Sequence, residues 1–263
     1  KKWAFEHSSY GSTYGNDALR EVLVDYLNAS RGLHISKENV LITRGSQMGI
    51  WLSSQLLLQK NDTIVVGSTN YSSADATFLY QNVKIERVSV DEHGLLTDEI
   101  EKLCKRQPIK AVYVTSHHHH PTTVTLCAER RIHLLNLANQ YNFAIIEDDY
   151  DYDFHYASSP ILPMASSDYQ GVVIYVGSFS KTVAPGLRIG FMVAPTDFIR
   201  EVSRLSRFMD CHGNTALEKA LALLFKEGII RRHLKKTLKE YRQRRDLRRR
   251  RSSPCASVAR GQW

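Results

Sequence analysis

Long apolar runs are missing from this chain of 263 residues. No stretch of about 18 consecutive apolar residues occurs, so the sequence offers no candidate transmembrane helix. The first residues, Lys1 to His7, lack the apolar stretch and the small-residue cleavage site of a secretory signal peptide. Disorder is also excluded, because 43% of the residues are hydrophobic and no low-complexity segment precedes the C-terminal region. We therefore expect a folded, cytoplasmic protein that makes no membrane contact.

Cysteine is scarce, and the four residues form no C-x-x-C pair, which argues against a disulfide framework or a zinc cage. They are Cys104, Cys127, Cys211 and Cys255. Four consecutive histidines, His117 to His120, invite a metal site because imidazole is a common transition-metal ligand. Adjacent residues of an extended loop point to opposite sides, and no carboxylate or cysteine lies close in sequence. We therefore expect no metal.

The sequence has no excess of acidic residues: its formal net charge is +8 and its pI is about 9.3. The positive excess is local: residues 226–263 hold 14 Lys and Arg against three Asp and Glu, and the preceding 225 residues hold 21 basic and 24 acidic side chains. The body is thus slightly acidic. Nucleic-acid binding by the C-terminal segment stays open as one interpretation, and an amphipathic helix of a further domain is the other.

Short β-branched runs alternate with longer amphipathic stretches, a pattern that predicts crossover units and a largely parallel sheet. We expect an α/β fold of three layers, α/β/α, around seven strands. The predicted strands are Val40–Thr43, Thr63–Val66, Lys84–Val90, Ala111–Thr115, Phe143–Glu147, Val172–Gly177 and Arg188–Ala194. The predicted helices are Asp17–Asn28, Ser46–Gln59, Ser72–Tyr80, Thr97–Lys105, Ala128–Tyr141 and Asp197–Asp210.

Ligands of open α/β sheets bind at the carboxyl ends of the strands, so the chemistry is sought there. Lys181 follows one apolar strand, between hydroxyl residues and ahead of Arg188. Hydroxyls and a guanidinium can bind phosphate, and a partly desolvated lysine can form a Schiff base with a carbonyl cofactor. Glu147, Asp148 and Asp149 follow another apolar strand. Taken alone, this carboxylate cluster favours a magnesium site over a partner for a pyridine nitrogen.

The combination and order of several motifs resembles one family. The motifs are Tyr10 with Gly15 and Leu19–Arg20, Thr43-x-Gly45–Ser46–Gln47, His118 through Pro121–Thr122, Glu147–Asp151, and Ser178–Thr182 through Arg188–Gly190. Over residues 10 to about 246 the chain resembles fold-type I pyridoxal-phosphate enzymes of the aminotransferase class I/II family. Within it, the chain is most similar to the aminotransferase-like domain of MocR-type regulators of the GntR superfamily.

The resemblance implies pyridoxal phosphate as the cofactor and gives roles to particular residues. Lys181 would form the Schiff base and move the Cα proton, Asp148 would pair with the pyridine nitrogen, and Tyr150 would approach the phenolic oxygen. The phosphate would bind to Ser178, Ser180, Arg188 and the start of a helix at Gly45, Ser46 and Gln47, which the helix dipole also favours. Tyr71 would stack on the pyridine ring, and Tyr10 would reach the phosphate of a neighbouring subunit in a homodimer.

Two loops depart from the family pattern. Gly67–Tyr71 lacks the Glu and Pro that usually precede the stacking aromatic residue. His120 stands where Asn or Phe is usual, although an imidazole can still bond the phenolic oxygen. Thr123 stands where Gly is usual, so we expect a threonine with a backbone conformation that glycine normally adopts.

The resemblance also predicts the domain organisation. We expect an N-terminal segment with a helix (1–40), a cofactor-binding large domain (41–215), a helix that leads into a small domain that is largely missing (216–247), and a basic tail (248–263). The expected reaction is amino transfer between an amino acid and a 2-oxo acid. The alternatives are a sensor of the cofactor and an amine effector, with DNA bound only through an upstream domain, and an inactive fragment. Because the arginine for the substrate carboxylate belongs to the missing region, we expect poor turnover.

Overall fold

The computed structural model describes residues 10–154 and 161–252, and the side chains up to residue 247. Its main feature is a seven-stranded sheet with the order β1-β9-β8-β7-β6-β2-β3. These strands are β1 (Val40–Thr43), β2 (Thr63–Gly67), β3 (Lys84–Val88), β6 (Ala111–Val114), β7 (Ala144–Asp149), β8 (Val173–Ser178) and β9 (Gly190–Val193). A separate hairpin pairs β4 (Val90–Asp91) with β5 (Gly94–Leu95).

All strands of the main sheet run in one direction except β9, which is antiparallel to both β1 and β8. The carboxyl ends of β1, β2, β6, β7 and β8 therefore lie at one edge of the sheet, where β9 begins. The prediction of a mostly parallel, seven-stranded sheet is confirmed. The predicted strand Lys84–Val90 was too long: it breaks at Ser89, whose amide donates to Glu99 Oε2 at 2.8 Å instead of continuing the ladder. The predicted strand Arg188–Ala194 was also too long, because Arg188 has a left-handed backbone and the strand begins at Gly190.

Eight α-helices surround the sheet within the described residues. They are α1 (Asp17–Arg31), α2 (Ser46–Leu57), α3 (Ser72–Tyr80), α4 (Thr97–Arg106), α5 (Ala128–Tyr141), α6 (Thr196–Asp210), α7 (Thr215–Lys226) and α8 (Ile229–Ser252). No helix in the ranges 10–154 and 161–252 combines the length and the apolar character that crossing a membrane requires.

Local sequence accounts for the helix ends. Asn16 caps α1 by accepting the amide of Leu19 at 3.1 Å, and Asn214 caps α7 by accepting that of Leu217 at 3.0 Å. Gly32 ends α1 in the left-handed conformation, with φ 62°. Gly228, with φ 69°, separates α7 from α8. The helix α8 then runs to Ser252, beyond residue 247, and the rest of the basic tail lies outside the described residues, as do residues 1–9.

Side-chain alternation along the strands builds two cores, one on each face of the sheet. Leu41 and Met192 pack on one face with Ile50 of α2, Phe78 of α3 and Val202 of α6. The other face packs against α1, α7 and α8 at one end and against α4 and α5 at the other. The three-layer α/β/α architecture predicted from the sequence is therefore confirmed, and both faces of the sheet are shielded from water.

Candidate active site

A pocket of about 230 Å³ lies at the edge where the parallel strands end. Its lining residues are Ser46, Gln47, Tyr71, Thr115, His120, Asp148, Tyr150, Ser178, Ser180, Lys181 and Arg188. Ten of them are predicted site residues, and the strand order explains how positions more than 140 residues apart meet. Thr115 is the lining residue without a predicted role. The feature of the sequence that points to Thr115 as a lining residue is its position directly after a strand.

Two predicted residues do not line this pocket. Gly45 lies just behind it, where a Cβ would come within 2.9 Å of the Arg188 Nη2 atom. The Tyr10 side chain is 88% exposed, and its ring packs edge-on against His212 with 5.5 Å between centroids. Its predicted contact with a neighbouring subunit stays a prediction.

Lys181 lies in a tight turn after β8 that is held from both sides. The Phe179 amide donates to the Ile189 carbonyl at 3.0 Å, and the Val183 amide donates to the Phe179 carbonyl at 2.8 Å. Phe179 is 1% exposed and packs in the core against Phe191. The lysine Nζ lies 4.3 Å from the centroid of the Tyr150 ring, where the negative face of the ring attracts the ammonium group.

Asp148 is the buried carboxylate of the pocket. It ends β7 together with Asp149, and its side chain accepts a 2.8 Å hydrogen bond from the Tyr113 hydroxyl through Oδ2. Burial, together with the charges of Asp149 and Asp151, raises the pKa of Asp148 to about 7, against the opposing effects of the Tyr113 hydrogen bond and the Lys181 charge. A cation placed next to it in the pocket would therefore favour its ionised form.

Tyr150 and Tyr71 form two aromatic walls. The Tyr150 hydroxyl donates to the His118 carbonyl at 2.8 Å, and burial raises its pKa well above the ordinary value for tyrosine. The Tyr71 ring packs edge-on against His120, with 5.4 Å between centroids. The His120 amide donates to Thr115 Oγ1 at 3.0 Å, which fixes the loop against the end of β6.

The opposite end of the pocket gathers groups that suit a phosphate. The helix α2 begins at Ser46, so its free backbone N–H groups and positive dipole end lie next to Arg188. Arg188 has a left-handed backbone, with φ 51°, and its Nη2 donates to the Arg44 carbonyl at 3.4 Å. The amide of Ser180 donates to Ser178 Oγ at 3.1 Å, and both serines line the pocket.

Four buried polar atoms of the lining lack a hydrogen-bond partner within the described parts of the chain. They are Gln47 Oε1, His120 Nδ1, Asp148 Oδ1 and Ser180 Oγ. A buried polar atom without a partner costs roughly 1–3 kcal/mol, and native proteins rarely keep several together without a functional reason. Their concentration around one pocket indicates a polar ligand site.

The four consecutive histidines occupy four different environments. His117 contacts the Asp149 carboxylate, and His118 contacts the Asp151 carboxylate. His119 contacts the Thr122 hydroxyl, and His120 packs against the Tyr71 ring. The loop also bears out the expectation for Thr123, whose φ of 64° lies in the region that glycine favours. Its amide donates to the His119 carbonyl at 2.6 Å, which holds the turn.

A model of the family described as aminotransferase class I and II matches residues 6–251. The chain belongs to this family. Among its relatives, aromatic-amino-acid aminotransferase 1 of Thermococcus litoralis is 32% identical over 94% of this chain and 60% of that protein. The HTH-type transcriptional regulator TauR of Rhodobacter capsulatus is 33% identical over 87% of this chain and 46% of that protein. The predicted likeness to both the enzymes and the regulators of the family is confirmed.

Solved structures of the family share the fold. Pyrococcus horikoshii kynurenine aminotransferase superposes with a TM-score of 0.88 at 31% identity, over 93% of this chain and 62% of that one. A multiple substrate aminotransferase from Thermococcus profundus gives a TM-score of 0.87 at 31% identity, over 93% and 63%. The predicted fold, that of the large domain of fold-type I aminotransferases, is confirmed. The chain spans about half to two-thirds of the length of these relatives.

Proposed function

We propose that the pocket binds pyridoxal phosphate through a Schiff base at Lys181 and serves amino transfer between an amino acid and a 2-oxo acid. The observation that carries the proposal is the joint presence of Lys181 and the unpartnered oxygen of buried Asp148 in one small pocket. The family is one of pyridoxal-phosphate-dependent enzymes, and the donor set of this chain fits that cofactor at both ends.

The fit follows from chemistry at each end of the pocket. A pyridinium N–H would give Asp148 Oδ1 the donor that it lacks and a cation that favours its ionised form. Ser180 Oγ, Arg188 and the first turn of α2 offer hydroxyl, guanidinium and backbone donors to a phosphate. Tyr71 supplies an aromatic face between these ends.

When bound, pyridoxal phosphate supplies a conjugated ring that accepts the electrons of a substrate Cα–H bond. The protein residues then have separable tasks. Lys181, the one amine among the lining side chains, would accept the substrate Cα proton at its Nζ atom and would later give it up again. Asp148 would accept a hydrogen bond from the ring nitrogen and would favour its protonated form. Tyr150, whose hydroxyl donates to a backbone carbonyl, holds its ring next to the lysine.

A second candidate function is sensing by a transcriptional regulator. The 33% identity with TauR and the 29% identity with the probable rhizopine catabolism regulatory protein MocR of Rhizobium meliloti favour it. In that case the same pocket would bind the cofactor and an amine effector with little turnover, and DNA would be bound by a domain upstream of this chain. A homodimer and an amino acid or amine ligand are proposed for both functions.

An absorbance spectrum with added pyridoxal phosphate tests the proposal. The wild type is expected to give a visible Schiff-base band that borohydride abolishes, Lys181→Ala to give none, and the control Lys102→Ala, in exposed α4, to match the wild type. Absence of the band in the wild type would reject the proposal. Addition of an amino acid then separates the two functions: loss of the band with release of a 2-oxo acid indicates transfer, and a shifted but lasting band indicates sensing.

A further inference from the structure

A buried guanidinium joins the first helix to the strands that carry the active site. Arg31 is the last residue of α1 and is 3% exposed. Its Nε atom donates to the Tyr175 hydroxyl at 2.9 Å, and its Nη2 atom lies 3.3 Å from Asp153 Oδ1. Tyr175 belongs to β8, and Asp153 lies in the segment that follows β7. One side chain therefore contacts two neighbouring parts of the site edge.

Two branches of hydrogen bonds lead from Arg31 towards the pocket, and the first of them ends next to Lys181. Thr182, which follows Lys181, is 2% exposed, and its hydroxyl donates to Asp153 Oδ2 at 3.1 Å. The Tyr26 hydroxyl donates to the other oxygen of Asp153 at 2.7 Å. One oxygen of the Asp153 carboxylate thus accepts hydrogen bonds from α1. The other oxygen accepts a hydrogen bond from the loop that carries Lys181, the lysine loop.

The second branch leads to the residue beside the buried carboxylate. The Tyr175 hydroxyl, which accepts from Arg31, donates to Asp149 Oδ2 at 2.7 Å. Asp149 directly follows Asp148 and also lies 3.1 Å from His117 Nδ1. Both branches therefore end one residue away from a proposed catalytic group, Lys181 on one side and Asp148 on the other.

The charges of this network stabilise one another. Burial would lower the pKa of Arg31, but Asp153 and the other acidic groups around it outweigh burial and raise it. Burial would likewise raise the pKa of Asp149, but His117 and Arg31 outweigh it and lower the pKa. A buried charge without its partner is strongly unfavourable. Arg31 and Asp149 are therefore charged together, and Asp153 Oδ1 lies 3.3 Å from the Arg31 guanidinium.

We propose that Arg31 is a positioning residue, which sets the distance between Lys181 and Asp148 through Thr182 and Asp149. Adjacent Cα atoms are about 3.8 Å apart, so a shift of Thr182 moves the Lys181 backbone with it. Misplacement of a reacting group by about 1 Å can slow a reaction roughly a hundredfold. The effect of Arg31 on catalysis rests on the proposed function, whereas the hydrogen bonds that anchor Thr182 and Asp149 do not depend on it.

The test uses variants that remove one hydroxyl and leave the buried charges in place. Thr182→Val cuts the first branch, Tyr175→Phe cuts the second, and Thr182→Ser restores the first. Thr97→Val is the matched control, because Thr97 is a buried threonine at the start of α4 whose hydroxyl contacts His133 instead. The two readouts are hydrogen exchange of the Phe179 and Val183 amides without cofactor, and the affinity and pH titration of the visible band with pyridoxal phosphate.

Loss of one hydrogen bond predicts about fivefold faster exchange of the two amides in Thr182→Val. It also predicts roughly tenfold weaker cofactor binding and a displaced pH titration of the band. Tyr175→Phe should displace the titration most, because it removes the hydrogen bond that Asp149, the neighbour of Asp148, accepts from β8. Thr182→Ser should restore the wild-type exchange rates, affinity and titration, and Thr97→Val should leave all three unchanged.

Wild-type exchange and an unchanged titration in folded Thr182→Val and Tyr175→Phe would overturn the proposal. Equal effects in Thr97→Val would also overturn it, since a general loss of stability would then be the cause. If the wild type forms no visible band, the proposed function fails, and the amide exchange alone decides whether Arg31 anchors the lysine loop.

Discussion

The Tyr113 hydroxyl donates a 2.8 Å hydrogen bond to Asp148 Oδ2, while Asp148 Oδ1 has no partner among the described residues. Both side chains are buried in the sheet, Tyr113 on β6 and Asp148 on β7. The tyrosine stabilises the ionised carboxylate on one side only. The other oxygen has no donor in the part of the chain that the structure describes, and the carboxyl group therefore keeps its proton up to about pH 7.

The pH dependence of stability follows from the raised pKa of Asp148. The folded protein retains this proton up to about pH 7, whereas the unfolded chain loses it near pH 3.8. Between these values the folded state binds more protons, so this group lowers the free energy of unfolding as the pH rises. Asp148→Asn removes the effect. In urea unfolding without cofactor, we expect its stability relative to the wild type to grow by roughly 2–3 kcal/mol from pH 5 to pH 8, and parallel pH curves would contradict this.

The contact between Arg188 and the start of α2 predicts selectivity for a phosphate group. Arg188→Gln should weaken pyridoxal phosphate binding by about 10- to 100-fold, because a charge-assisted hydrogen bond is lost. Binding of pyridoxal, which has the same aldehyde and no phosphate, should change less than about threefold. Titrations of the visible band with both compounds measure this difference. An equal loss for both would assign Arg188 a structural task instead.

The start of β9 tolerates no side chain beyond hydrogen. A Cβ on Gly190 would lie 2.7 Å from the Gly177 carbonyl oxygen and 2.7 Å from the Gly45 carbonyl carbon, both of them backbone atoms. We expect Gly190→Ala to lower the free energy of unfolding by about 2–4 kcal/mol. Gly186→Ala is the control, since nothing lies within 4 Å of its Cβ position. Thermal unfolding that ranks the two variants alike would contradict the close approach of these backbones.

The left-handed backbone of Thr123 predicts a stabilising substitution. A β-branched residue with φ 64° carries strain that glycine avoids, so Thr123→Gly should raise the free energy of unfolding by about 1 kcal/mol. Thr122→Gly should lower it by a similar amount, because it loses the 2.9 Å hydrogen bond between Thr122 Oγ1 and His119 Nδ1. Chemical unfolding of both variants checks the opposite signs, and loss of stability in Thr123→Gly would show that the strain is absent.

Periodicity predicts most of the fold, and the resemblance to the family predicts the contents of the pocket. Strands of a parallel sheet are buried on both faces, so each of them appears in the sequence as a continuous apolar run. Lys181 and Asp148 stand out because polar residues at the carboxyl ends of such runs meet at one edge, and Arg188 joins them because β9 begins at that edge. The break at Ser89 is not predictable in this way, because it depends on a distant glutamate side chain taking the backbone amide.

Residues that act at a distance from the pocket escape a sequence reading. Tyr113 lies within an apolar strand and has the pattern of an ordinary core residue, yet its hydroxyl contacts the key carboxylate. Arg31 and Asp153 have the pattern of surface charges on a helix end and a loop. Only the tertiary fold brings them together at 3.3 Å, with the Arg31 side chain 4% and the Asp153 side chain 10% exposed. Their importance arises from a low dielectric environment that no local pattern encodes.

The pocket is assembled from the ends of five strands that span most of the sheet, and this has a consequence for folding. No part of the chain can form the pocket before β1, β2, β6, β7 and β8 are aligned. A ligand in the pocket therefore binds only the assembled sheet and stabilises all of it by mass action, by about 2.7 kcal/mol at a hundredfold excess over Kd. Occupancy of the site and unfolding of the sheet are consequently linked equilibria, so added ligand raises the folded population without being required for the fold.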